Sequence, residues 1–215
     1  MNADTVISYA LTGLAALCAI MFHEVSHGFA AYKLGDMTAK ERGRLTLNPL
    51  KHIDWFGLLM LIIAGFGWAK PVPVDMRFLR NPRRDMAIIA FAGPAMNFLL
   101  ALVCMLAYAA LVFFEAPPLL ARFFIVCTVI NIGLGIFNLF PIPPLDGSKM
   151  LGIFLPEHIH MKVLRFERYG MLALMVLLWT GVLGGPLGFL RGTVLGWYEG
   201  AGEWFYRFLH SAVNR

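Results

Sequence analysis

Charge is scarce in this chain. Asp, Glu, Lys and Arg make up 14% of the 215 residues, against 59% hydrophobic, and the mean hydropathy is +0.70. Soluble domains carry about a quarter charged residues, so a globule solvated on every side is excluded. The chain reads as an integral membrane protein, with no composition shift to mark a separate soluble domain. Cysteine is sparse as well. Cys18, Cys104 and Cys127 each sit inside an apolar run and no CxxC occurs, which argues against a disulfide framework and a cysteine-based zinc site. The first apolar run lacks the basic leader of a cleaved signal peptide. The net charge is +5, but the basic residues cluster between apolar runs. They fit cytoplasmic loops and lipid headgroups, not a nucleic-acid surface.

What is abundant is uninterrupted apolar sequence. Four stretches are long enough to cross a bilayer: about Thr5–Leu34, closed by Gly35-Asp36, then Asp85–Phe114, Leu119–Phe140 and Tyr169–Leu190. A tight external turn at Glu115–Pro118 joins the second and third, and Pro141, Pro143 and Pro144 must end the third. The apolar stretch Ile53–Trp68 has basic residues on both flanks, so a single crossing would violate the positive-inside tendency. A re-entrant or β-hairpin element fits better. Thr46, Val72 and Val74, with Pro71 and Pro73, suggest short edge strands to which an unwound peptide could add. His158 and His160 read as loop residues. The tail, Arg191–Arg215, mixes Trp197, Trp204, Phe205 and Tyr206 with charges and reads as an interfacial helix. The expectation is an all-α integral membrane protein. It has about four transmembrane helices, the re-entrant/β-hairpin element and an interfacial C-terminal helix, all in one membrane-embedded domain over 1–215. Charge bias puts the N-terminus outside and the end of the first helix in the cytoplasm.

Inside the first run lies His23-Glu24-Val25-Ser26-His27, an HExxH pattern. Helix residues four apart share a face, so both imidazoles can hold one Zn²⁺ with Glu24 beside it to handle a proton. Ionisable groups at membrane depth are expensive, which favours a functional reason for them. A catalytic zinc takes a third protein ligand. Asp146, Asp54, His52, Glu41 and Asp36 are candidates. Asp146 follows a proline break, and unwound backbone at membrane depth is tolerated mainly where it lines a cavity. Gly147 permits a sharp turn after it. The alternative for Asp146 is a cap on a helix starting at Ser148, and the residues alone leave both open.

Five motifs in order make the chain similar to a known family. HEVSHG at 23–28, the 43–54 segment GRLTLNPLKHID, GWAKPVPV at 67–74, AGPAMN at 92–97 and NLFPIPPLDG at 138–147 together resemble the site-2 proteases, intramembrane zinc metalloproteases, in a compact form without PDZ or CBS domains. The resemblance implies one Zn²⁺ per chain, held by His23, His27 and Asp146, with Glu24 as base. It also implies cleavage of peptide bonds in or near the transmembrane helices of membrane-protein substrates, within the lipid bilayer of the cell (inner) membrane. Asn138 is a candidate donor to the substrate carbonyl or its oxyanion, with an interhelical hydrogen bond as its alternative. Asn97 either faces the site or packs against a neighbouring helix. Two rival functions exist: a membrane metal-ion transporter or channel, and a non-catalytic scaffold that keeps the protease fold. Polar residues concentrated at one depth disfavour the first, and an intact Glu24 disfavours the second.

Overall fold

A computed structural model describes residues 2–64 and 67–213. Eight α-helices occur among these residues: α1 (Ala3–Leu34), α2 (Thr38–Glu41), α3 (Trp55–Ala64), α4 (Pro82–Phe113), α5 (Pro118–Asn138), α6 (Asp146–Leu151), α7 (Glu157–Trp179) and α8 (Gly184–Val213). Three of them, α1, α4 and α5, are long and apolar enough to cross a membrane. A fourth span results if Tyr169–Trp179 and Gly184–Val213 count as one broken crossing. The multi-pass, all-α expectation therefore holds.

Local chemistry accounts for the helix ends. Asn2 Oδ1 accepts from the Thr5 amide at the start of α1. At its far end Gly35 takes φ 111°, and the Gly35 and Asp36 amides return to the Tyr32 and Ala31 carbonyls. That is a Schellman closure, which the Gly35-Asp36 pair announced. In α4, Pro82 opens the helix and the Asp85 carboxylate reaches back to the Asn81 amide. Helix α5 stops at Asn138, ahead of Pro141.

Several details differ from expectation. The fourth apolar run is not one helix over Tyr169–Leu190: α7 ends at Trp179, Gly181 takes φ 71°, and α8 begins at Gly184. Glycine rather than apolarity decides that break, since its left-handed backbone cannot continue a right-handed helix. His158 and His160 belong to the first turns of α7, not to a loop, because Pro156 serves as an N-cap ahead of them. Helix α4 carries Pro94 in its interior. Of the tail, residues 214 and 215 lie outside the described residues; the rest forms the greater part of α8.

The expected β-hairpin reduces to a single antiparallel bridge, Ile53 to Ala69, extended by one bond from the Lys70 amide to the His52 carbonyl at 2.9 Å. No strand forms among the described residues. Pro71 and Pro73 have no amide to lend to a ladder. Side chains do the joining instead. Arg44 Nη2 donates to the Lys70 and Pro71 carbonyls at 2.6 and 3.3 Å. Between the bridged residues sits α3, whose ten residues extend about 15 Å, half of the hydrocarbon thickness. That length fits an element that enters and returns.

By packing, the chain divides into two compact units. One comprises Met1–Ala19, Asn97–Phe137 and Gly181–Arg215; the other comprises Ile20–Met96 and Asn138–Thr180. In the first, Asn97 is fully buried and donates to Asn131 Oδ1 at 2.8 Å and to the Ala19 carbonyl at 3.3 Å, and Asn131 in turn donates to the Cys127 carbonyl. Asn97 is thus an interhelical packing residue. The second unit contains every candidate ligand.

Candidate metal centre

His23 and His27 lie one turn apart on α1, both buried, with their rings edge to face at a centroid distance of 4.5 Å. Their Nε2 atoms are 2.9 Å apart. Asp146, the first residue of α6, brings Oδ2 to 3.1 Å from the His23 Nε2 and 3.2 Å from the His27 Nε2. It does not cap α6, since Leu145 occupies that position. Among the described residues these three form the one group of His, Cys, Asp or Glu able to hold a metal ion.

The donor set fits zinc. Two imidazoles and a carboxylate are a zinc-peptidase ligand class, and a tetrahedral ion with bonds of about 2.0–2.1 Å separates its ligands by about 3.3–3.4 Å. The observed 2.9–3.2 Å triangle is slightly tighter than that. The tautomer also fits. His27 Nδ1 is 2.7 Å from the Ile89 carbonyl; a carbonyl only accepts, so Nδ1 carries the proton and Nε2 keeps its lone pair for the ion. Ile89 lies five residues before Pro94, whose missing amide leaves the neighbouring Ala90 carbonyl without its α4 ladder partner.

Glycines make the approach possible. A Cβ on Gly93 would stand 2.5 Å from the His27 Cε1 and Nε2 and 2.6 Å from the His23 Cε1, so a bare helix face cradles both rings. A Cβ on Gly147 would run into the Leu139 and Phe140 carbonyls. Gly147 is helical and has no positive φ. Its role is close backbone packing behind Asp146, not the sharp turn expected of it.

Glu24 is half-buried on α1, and its Oε2 accepts from the Val72 amide at 2.8 Å. The other ligand candidates are committed elsewhere. Asp36 accepts from Thr38 and from the Asp75 amide. Asp54 caps α3 through the Gly57 amide. His52 donates from Nε2 to the Thr46 carbonyl, and Glu41 is exposed. Asn48 caps the 3-10 turn Pro49–Lys51. Asn138 is half-buried at the end of α5, on the chain leading to Asp146. Outside the spans, hydrogen bonds from Arg77 hold the Asp75 carboxyl down to about 2.

AGPAMN and GWAKPVPV are visible as motifs, but the roles of Gly93, the Ile89 carbonyl and the Val72 amide emerge only in the fold. Two of these are backbone groups, which any residue carries, so nothing in the sequence could mark them.

The chain matches the family described as Peptidase family M50 over residues 11–117 and 115–181. It is 42% identical over 172 residues to "Putative zinc metalloprotease YwhC" of Bacillus subtilis (strain 168), covering 77% of this chain and 76% of that one. It is 30% identical over 196 residues to "Putative zinc metalloprotease Rip2" of Mycobacterium tuberculosis (strain ATCC 25618 / H37Rv), covering 88% and 70%. To the Rip2 of Mycolicibacterium smegmatis it is 32% identical over 175 residues, covering 78% and 66%. No solved structure matches it.

Proposed function

The chain belongs to peptidase family M50, and from that premise we propose that it is a zinc endopeptidase that hydrolyses peptide bonds in or near the transmembrane helices of membrane-protein substrates. The reading is carried by one observation: two imidazole nitrogens and a carboxylate oxygen converge within 3.2 Å on a helix apolar enough to span the bilayer. His23, His27 and Asp146 are the residues that would hold the ion. When bound there, Zn²⁺ supplies Lewis acidity, which brings the pKa of water towards neutrality and polarises a carbonyl.

The remaining work belongs to the chain. Glu24 takes a proton from the attacking water on a carboxylate oxygen and gives it to the nitrogen of the leaving amine. Gly93 keeps both imidazoles seated, and the Ile89 carbonyl keeps the His27 tautomer. Asn138 donates to the substrate carbonyl as it gains charge. Basic residues on both sides of the 53–69 element support a site near the cytoplasmic face, with the N-terminus outside.

The test uses purified protein in lipid with a single-span substrate. Wild type cleaves it, and Glu24→Gln lowers the rate at least about a thousandfold while zinc content is unchanged. A Gln variant that cleaves like wild type sinks the assignment. Zinc flux across vesicles without any cleavage selects the transporter instead.

A further inference from the structure

We propose that the backbone amide of Val72 is a positioning group for Glu24, holding one carboxylate oxygen so that the other faces the reaction. The inference rests on the reading of Glu24 as the general base.

The sequence between Lys70 and Val74 is Lys-Pro-Val-Pro-Val. Prolines have no N–H, so from 71 to 73 the one backbone donor is that of Val72, and it goes to Glu24 Oε2 at 2.8 Å. The segment that carries this amide is held on every side. The Lys70 amide goes to the His52 carbonyl at 2.9 Å. Arg44 clasps the Lys70 and Pro71 carbonyls. The Asp75 amide goes to Asp36 Oδ2 at 2.7 Å. Two prolines fix φ at their own positions and restrict the residues before them, including Val72. The amide is therefore rigid where the glutamate side chain, with its free rotors, is not.

The HExxH helix is shaped to receive it. Glu24 and Gly28 are four residues apart and share one face of α1, as His23 and His27 share the adjacent face. A Cβ on Gly28 would stand 2.9 Å from Val72 Cγ1 and 2.7 Å from Leu45 Cδ2. With no side chain at 28, the buried Val72 seats directly against the helix, one turn from the carboxylate that its amide binds. One helical turn thus offers two products: a face that binds metal and a face that docks the amide.

A base held this way keeps one oxygen for the proton and loses rotamers that point elsewhere. A charge-assisted bond of this kind is worth more than a neutral one, and misplacement of a catalytic group by about an ångström is costly.

Val72→Pro deletes the donor, and Val72→Ala keeps it while removing the packing. Replacing Val72 with 2-hydroxy-3-methylbutanoic acid keeps the side chain and turns the amide into an ester, which settles the case if Val72→Pro does not fold. With full-length protein in lipid and a single-span substrate, Val72→Pro and the ester lower kcat about tenfold to a hundredfold, with KM and zinc content within about twofold of wild type. Val72→Ala keeps the donor but loosens its seat against Gly28, and lowers kcat by less than the ester does. An ester variant that holds zinc and turns over at the wild-type kcat overturns the proposal, as does a Val72→Ala loss equal to that of the ester. A wild type that holds zinc and cuts nothing overturns the protease reading itself, and the positioning role falls with it.

Discussion

The two units of this chain are both rich in apolar residues, yet they bury different chemistry. Residues 1–19, 97–137 and 181–215 bury polar groups that never ionise: Asn97, Thr128 and Asn131, bonded to one another or to helix carbonyls. Residues 20–96 and 138–180 bury His23, His27, Asp36, Arg44, His52, Asp85 and Asp146. Their glycines differ in the same way. Gly28, Gly93, Gly147 and Gly170 each face atoms within 3 Å of where a Cβ would lie, whereas Gly184, Gly188, Gly192, Gly196 and Gly200 along α8 face open space. One unit uses amides and small residues for packing. In the other, absent side chains bring charged groups and backbone together. The lesson is that hydropathy marks where a chain meets lipid, while buried ionisable groups that converge on one point, as His23, His27 and Asp146 do, single out a candidate for chemistry.

Substitutions can break or sharpen this contrast. The largest effect belongs to Asp146→Ala or His23→Ala, each of which removes one of the three proposed ligands. Zinc content of the purified protein, read by elemental mass spectrometry, falls to background, and cleavage goes with it. Retention of zinc by Asp146→Ala would remove Asp146 from the centre. Next comes Gly93→Ala, a change that favours an isolated helix. Here it displaces both rings, and zinc affinity drops about tenfold to a hundredfold, as for lost outer-shell support.

In the other unit, effects should stay confined to stability. Asn97→Ala breaks the bond to Asn131 and costs about 0.6–1.7 kcal/mol by thermal unfolding in detergent, with zinc content unchanged. Gly196→Ala, in open space on α8, has the opposite sign to Gly93→Ala and stabilises by about 0.5–1 kcal/mol. The smallest effect is set by pH. Hydrogen bonds from Arg77 depress Asp75 from about 3.8 to about 2. A depressed carboxylate stabilises the fold above its unfolded pKa and loses that contribution as pH falls through the folded one. The stability gap between wild type and Arg77→Ala is therefore present at pH 5 and narrows towards pH 2.

Much of the fold is legible in the sequence. The ends of α1, α4 and α5 fall within three residues of where the apolar runs, Gly35 and the prolines put them. The HExxH spacing foretold a shared helix face, because both signals are local: one is composition along a stretch, the other a 3.6-residue period. The break between α7 and α8 escaped because apolarity continues across it, and only the backbone at Gly181 departs. The expected strands failed because β-propensity describes side chains, whereas ladders need amides that Pro71 and Pro73 lack.

Local order along the chain was thus enough to establish a membrane protein, its helices and a pair of histidines poised for metal. Motif order had already pointed to Asp146, 123 residues away; folding alone decided how closely it meets the imidazoles, that Gly93 would lie against the rings, and that the Val72 amide would meet Glu24. Such contacts depend on which helices pack and how closely, and no residue carries that distance in its own chemistry.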